Sequence, residues 1–161
     1  MRMLYVKETS GEYRPATRKD IAAEAERIAK IQHLKPIINA SSALINYLKL
    51  VMMTRETEQC RVIFLSNDNK IIAEEIVSEG MEDQTAVYPR MIMRKAMERF
   101  ATGIIVVHNH PTGQLRPSHA DISITRKLAA AADTLDIRFL DHVIIGMEEA
   151  GYFSFRENGM I

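Results

Sequence analysis

Gly103-Ile104-Ile105-Val106-Val107-His108-Asn109-His110-Pro111-Thr112-Gly113 is the stretch on which the fold turns. Its first five residues form a short, continuous apolar run of the kind a buried strand shows. His108 and His110 stand two apart where that strand ends. Alternation along a strand points both imidazoles to one face and Asn109 to the other. Pro111 and Gly113 then turn the chain. Ser118 opens a helix whose residues Ile122, Thr125, Leu128, Ala129 and Ala132 face inward, and this helix brings Asp121 back towards the histidines.

Two imidazole nitrogens and a carboxylate oxygen are a borderline-to-hard donor set that suits Zn²⁺, with Fe²⁺ or Mn²⁺ as alternatives. Three protein ligands leave a coordination position open for water, which separates a catalytic zinc site from a structural one. Such a site lowers the pKa of its water from about 15.7 to about 7. Ser118 and Asp121 also have a structural reading, because Ser-x-x-Asp is a capping-box variant at a helix start. The two roles are compatible: an acid in the first helical turn suits the positive end of the dipole and keeps an oxygen for a metal. A hydrolase needs a base as well. Glu58, at the mouth of the first long strand, is the candidate, but Glu56 shares its parity and periodicity does not choose between them. A solvated strand entrance is the plain alternative for both. Cys60 shares the face of Glu58 and reads as a buried strand cysteine. His119 reads as an exposed helix residue and His33 as a surface position.

Outward from this centre, Glu58–Leu65 is strand-like, and residues 71–77 follow the turn sequence Asn67-Asp68-Asn69, so the pair reads as an antiparallel hairpin. Pro89 sits where a helix begins, and Ile92, Ala96, Met97 and Phe100 give that helix one apolar face. Two more strands are expected near residues 142–145 and 152–155, with residues 146–151 as the turn between them. Upstream, residues 41–53 read as a helix with Leu44, Leu48 and Val51 on one side. In the first forty residues, 3–6 read as a short strand and 11–15 as a turn. Thr17 with Asp20 forms a capping box opening a helix through about Ile31, with Ile21, Ala25 and Ile28 at helical spacing, and Lys35-Pro36 stops it. Strands and helices mixed around one buried sheet imply a layered α/β domain. The expected organisation is an N-terminal extension over residues 1–40, a short strand and helix, followed by a metal-binding domain over 41–161.

Composition bounds the reading. The chain has 161 residues, enough for one domain with a real core, and is 47% hydrophobic and 26% charged. Its formal net charge is zero, so no global basic field draws it to nucleic acid. A single cysteine excludes an intrachain disulfide and cysteine-based zinc knuckles. Residues 1–8 are too short and too charged for a signal peptide, and no apolar run is long enough to span a bilayer. The expected location is the cytoplasm.

The run His108 to Gly113, then Pro117-Ser118 and Asp121, resembles the JAMM (MPN+) metalloprotease motif. More closely, it is similar to the JAB domain of bacterial RadC-like proteins. The likeness extends through Tyr88-Pro89-Arg90, Asp141-His142-Val143-Ile144-Ile145-Gly146 and Tyr152-Phe153-Ser154-Phe155-Arg156, and covers roughly residues 41–159. The resemblance implies a cytidine-deaminase-like, three-layer α/β/α sandwich around a mixed sheet (the JAB/MPN fold), with one zinc ion per chain. By the family pattern His108, His110 and Asp121 are the ligands, Glu58 activates the water, and Ser118 stabilises the oxyanion. The implied reaction is attack of zinc-held hydroxide on an amide carbonyl, with Glu58 taking the proton and passing it to the leaving amine. Relatives cleave peptide or isopeptide bonds, so a peptide or protein substrate is expected. This chain departs from the pattern at Thr112, where serine is usual, and at Tyr88 and Met91, where histidine and glutamate are usual. Thr112 keeps a hydroxyl, so little changes there, while Tyr88 and Met91 bear on substrate contacts, since neither is a ligand. Residues 1–40 are too short for the helix-hairpin-helix region of full-length relatives.

The leading reading is therefore a zinc-dependent metallopeptidase or isopeptidase. The alternative is a RadC-like DNA-repair or mobile-element accessory protein that binds nucleic acid, with zinc structural or regulatory. Its motive is the pair of basic clusters, Arg90, Arg94, Lys95 and Arg99 in one helix and Arg14, Arg18 and Lys19 near the start. The plain reading of such clusters is a solvated face. A JAB scaffold without catalysis usually loses ligands, and this chain keeps them. No membrane partner is expected, and a homo-oligomer is left open.

Overall fold

The computed structural model describes residues 4–31, 41–52, 55–80, 88–146 and 151–161. In chain order its elements are β1 (Tyr5–Lys7), β2 (Tyr13–Pro15), α1 (Arg18–Ile31), α2 (Ser41–Met52), β3 (Glu58–Leu65), β4 (Ile71–Gly80), α3 (Pro89–Glu98), β5 (Gly103–Asn109), α4 (His119–Thr134), β6 (Arg138–Ile145) and β7 (Tyr152–Ser154). β3 to β7 make one mixed sheet in the order β4-β3-β5-β6-β7. β5 and β6 run parallel, and all other neighbours in this sheet are antiparallel. A parallel pair needs a crossover connection, and α4 supplies it.

Strand alternation divides the core into two layers. Val62, Phe64, Ile104 and Val106 face Ile92, Met93 and Ala96 of α3 and Leu128 and Ala132 of α4. Ile63, Leu65, Ile105, Val107, Val143 and Ile145 face Leu44, Ile45, Leu48, Val51 and Met52 of α2. Helices on both faces bury β5 completely, which is why it reads as an unbroken apolar run. This is the three-layer α/β/α arrangement expected from the sequence. Leu48 is wholly buried at the centre of the α2 layer. Leu48→Ala is predicted to cost about 2–5 kcal/mol, by lost transfer energy and the cavity left behind. Urea denaturation checks this, and an unchanged midpoint would mean α2 is loosely packed.

Several boundaries differ from the sequence reading, each for a physical reason. Residues 11–15 are not all turn. Tyr13–Pro15 pairs antiparallel with Tyr5–Lys7, and the turn between them runs through Thr9 and Ser10 to Gly11, whose φ is +91° and whose N donates to Glu8 O at 2.9 Å. β1 and β2 pair only with each other and are largely exposed, so no buried face marks them in the sequence. The capping box of α1 forms as expected: Thr17 N donates to Asp20 Oδ2 at 2.7 Å, and Asp20 N donates to Thr17 Oγ1 at 3.3 Å. Ala22 rather than Ile21 is the buried residue of its first turn. Met97 and Phe100 do not join the apolar face of α3, being 52% and 89% exposed. Helix periodicity cannot reach Phe100, because α3 ends at Glu98 and Phe100 turns left-handed at φ +52°. β6 begins four residues earlier than expected, at Arg138, where its exposed and half-buried first residues pair with the start of β5. Lys35-Pro36 and His33 lie outside the described residues. Among those described, no helix is long and apolar enough to cross a membrane.

Candidate metal centre

β5 delivers His108 as its penultimate residue and His110 just past its end. The strand alternation places His108 on the α4 side, with Val106. α4 begins at His119 with Ser118 as its N-cap, and the capping box is complete. Asp121 N donates to Ser118 Oγ at 3.1 Å, while Asp121 Oδ2 accepts from Ser118 N and Ser118 Oγ, both at 2.7 Å. The cap thus fixes Oδ2 of Asp121, which also lies towards His110, and leaves Oδ1 towards His108. His108 Nε2 lies 2.9 Å from His110 Nε2 and 3.3 Å from Asp121 Oδ1, and His110 Nε2 lies 3.6 Å from Asp121 Oδ2. The cap and the approach of Asp121 to the two histidines are met by the same geometry.

β3 runs antiparallel to β5 with Cys60 opposite His108, so the start of β3 lies beside the end of β5. Glu58, on the same side as Cys60, lines a cavity of about 670 Å³ with His108, His110, Ser118, Asp121 and Arg116. Glu56 lies before the strand, is 77% exposed, and is paired with Lys19. It does not line this cavity. His119 is exposed, as expected. Cys60 is buried, and burial pushes its thiol up to about 12, with Glu58 and Asp121 adding to the effect. It stays protonated at neutral pH and is a poor nucleophile or ligand.

The electrostatics favour a cation. Burial works against the charge of Asp121, but His110, His108 and Ser118 together outweigh it and hold the carboxyl well below the usual carboxylate range. Burial pushes His108 down to about 4 against the attraction of Asp121, so its ring is neutral at pH 7 and need lose no proton to ligate. The hydrogen bond to Asp121 raises His110, against the effect of its burial. His110 Nδ1 lies 2.6 Å from the carbonyl oxygen of Gln114, which can only accept, so Nδ1 carries a hydrogen and Nε2 is the ring nitrogen that faces Asp121 and His108. Donor atoms of His108, His110 and Asp121 all lie within 4.8 Å of one another. Two imidazole nitrogens and a carboxylate oxygen at that spacing fit a divalent cation such as zinc.

Three residues near the site carry no role in the sequence reading. Asn109, pointing away from the histidines, accepts at Oδ1 from Gln59 N (2.9 Å) and donates from Nδ2 to the carbonyl oxygen of Thr57 (3.1 Å). It therefore clamps the backbone on both sides of Glu58. A buried asparagine at the end of an apolar strand was the available signal. Asn109→Ala is predicted to destabilise by about 1–3 kcal/mol, by leaving a buried N–H and carbonyl unpaired. Denaturation measures this, and a cost near zero would mean that water replaces the clamp. The other two residues, His142 and Thr125, stand behind His108. His142 was visible as a lone histidine in an apolar strand, but nothing local says what it touches.

The basic clusters are largely offset by carboxylates. Lys95 and Arg99 both pair with Glu75, and Arg94 lies 3.6 Å from Glu98. Arg90 stands 5.5 Å over the ring of Tyr88. Arg14 pairs with Glu8 and Asp20, and Lys19 with Glu56.

A five-stranded mixed sheet between helices, with two histidines at a strand end and an aspartate in the first turn of the next helix, defines a JAB/MPN-type α/β domain with a candidate metal centre. Residues 38–160 match the RadC-like JAB domain, and the chain belongs to that family. It is 39% identical over 144 residues to a protein of Rhodobacter capsulatus named "UPF0758 protein", across 89% of this chain and 66% of that one. The chain thus spans just under two thirds of that relative's length.

Proposed function

We propose that this chain is a zinc-dependent amide hydrolase of the JAMM type, a metallopeptidase or isopeptidase. The observation that carries the reading is the meeting, in one cavity, of the three donor atoms with Glu58 and Ser118. When bound by His108, His110 and Asp121, zinc supplies Lewis acidity and lowers the pKa of water to about 7. Glu58 takes a proton from the attacking water and passes it to the leaving amine. Its place supports this, since it stands across the strand pair from the histidines and its backbone is clamped by Asn109. Ser118 has one hydroxyl hydrogen, which in the resting cap points to Asp121 Oδ2. As charge develops on the substrate oxygen, that hydrogen turns towards it, while Oγ continues to accept from Asp121 N. Asp121 keeps its partner in Ser118 N throughout, so the helix start is not disturbed. The substrate expected is a peptide or protein.

The test is metal content by mass spectrometry on protein purified without chelator, followed by a screen of fluorogenic peptide and isopeptide substrates. About one zinc per chain, with cleavage abolished by chelator and restored by zinc, is the expected result. Zinc bound without cleavage of any amide substrate in the screen would end the peptidase reading.

A further inference from the structure

Asp141-His142 and the stretch Tyr152 to Arg156 take no part in the donor set, yet the fold brings both to the back of His108. His142 is opposite Val106 in the parallel register of β5 and β6, and its ring is buried on the α4 side. Its Nε2 lies 2.9 Å from His108 Nδ1, and its Nδ1 lies 2.6 Å from Thr125 Oγ1. Thr125 Oγ1 lies 2.5 Å from the backbone carbonyl oxygen of Asp121.

These contacts have a direction. A carbonyl oxygen only accepts, so the single hydroxyl hydrogen of Thr125 points to Asp121. Thr125 Oγ1 can then only accept from His142, whose Nδ1 must carry the ring hydrogen. The His142 ring is 1% exposed, and as a neutral imidazole it has one hydrogen, already spent at Nδ1 on Thr125. Its Nε2 therefore presents a lone pair, and His108 Nδ1 must donate to it. His108 Nε2, facing Asp121 Oδ1, is left without a hydrogen.

The geometry points to His142 and Thr125 as positioning residues that lock His108 in the tautomer whose Nε2 can take a metal ion. The lock starts at the backbone of Asp121, so the residue offering the carboxylate also sets, through its own carbonyl, the state of its fellow ligand. His110 has its Nδ1 hydrogen fixed by a separate and simpler route, through Gln114. Outer partners of this kind orient metal-binding histidines and raise their basicity.

The unassigned stretches then acquire a purpose. Phe155 stacks on the His142 ring with centroids 4.9 Å apart and planes 11° from parallel. Asp141 Oδ1 accepts from His142 N at 2.8 Å and from Arg156 N at 3.0 Å, and its Oδ2 accepts from Ser154 Oγ at 2.5 Å. Asp141 thereby ties β6 to the chain that carries Phe155, and the ring of His142 is held from behind.

The inference rests on the metal reading above only for what Nε2 binds, and its test separates the two. Long-range ¹H–¹⁵N spectra of histidine-labelled, metal-free protein report the tautomers directly. His108 is expected as the Nδ1–H form in the wild type and as a mixture in Thr125→Val, with Thr125→Ser restoring the single form. In a second arm, cobalt affinity is measured by competition with a chromophoric chelator. Thr125→Val and His142→Phe are expected to weaken it by about 10–100-fold, and Thr125→Ser to leave it at the wild-type value. An Nε2–H tautomer at His108 in the wild type, or wild-type cobalt affinity in both weakened variants, would overturn the lock. If the tautomers are as stated but the wild type takes up no cobalt, the lock is supported and the hydrolase reading falls. Should His142→Phe fail to fold, the Thr125 pair decides alone.

Discussion

Glu58→Gln is expected to lower amide hydrolysis by about 10²–10⁴-fold, the usual contribution of a general base, while zinc stays at about one per chain. The two side chains have nearly the same shape, but the amide cannot accept a proton at neutral pH. Glu58 is not among the three donor atoms, so metal content should not move. Neither should the fold, because Asn109 holds the backbone of Thr57 and Gln59, not the Glu58 side chain. Parallel measurement of kcat/KM and bound zinc checks both halves. Retained hydrolysis would remove Glu58 from the mechanism, and loss of zinc with activity would make it part of the binding site. Glu56→Gln is the control: paired with Lys19 outside the cavity, it should change neither quantity.

Asp121→Ala is predicted to lose zinc altogether and to lose stability by two separable routes. The first is linkage. A metal that binds only the folded chain adds stability that grows with the ratio of free metal to Kd, about 4 kcal/mol at a thousandfold excess. Chelator should remove that contribution from the wild type and remove nothing from the variant. The second is the cap. Asp121 supplies the acceptor for Ser118 N in the reciprocal box at the head of α4. Loss of a cap costs about 0.5–2 kcal/mol, and this deficit should persist in chelator. Ser118→Ala separates the two from the other side, weakening the cap while keeping zinc. Urea denaturation with and without chelator, beside metal analysis, reads all three proteins. Zinc retained in Asp121→Ala would mean the donor set is wrongly drawn.

The sequence was most legible where the physics is local. The apolar run before His108, the two-residue spacing of His108 and His110, and Ser-x-x-Asp at the head of α4 are patterns within one strand or one helix turn. Each formed as the spacing required. The same held for the capping box of α1 and the turn before β4. Legibility ended where an element's limits depend on neighbours. Met97 and Phe100 fit a helical stripe on paper, yet α3 stops before Phe100 and leaves both in solvent. Arg138 to Asp141 carry a charge at each end, and it is the pairing edge offered by β5 that makes them strand.

By itself, the sequence determined the class of fold, three candidate ligand residues that converge and the capping box of Ser118 and Asp121, because periodicity and capping act over a few residues. Only the tertiary structure decided the rest. Glu56 and Glu58 have the same parity, and the antiparallel register of Cys60 with His108 is what brings Glu58 to the cavity. Asn109 reaches Thr57 and Gln59 across two strands more than forty residues apart in the chain. His142 reaches His108 through a parallel pairing that the α4 crossover makes possible. These contacts depend on which strand lies beside which and in what register, and no local pattern carries that information.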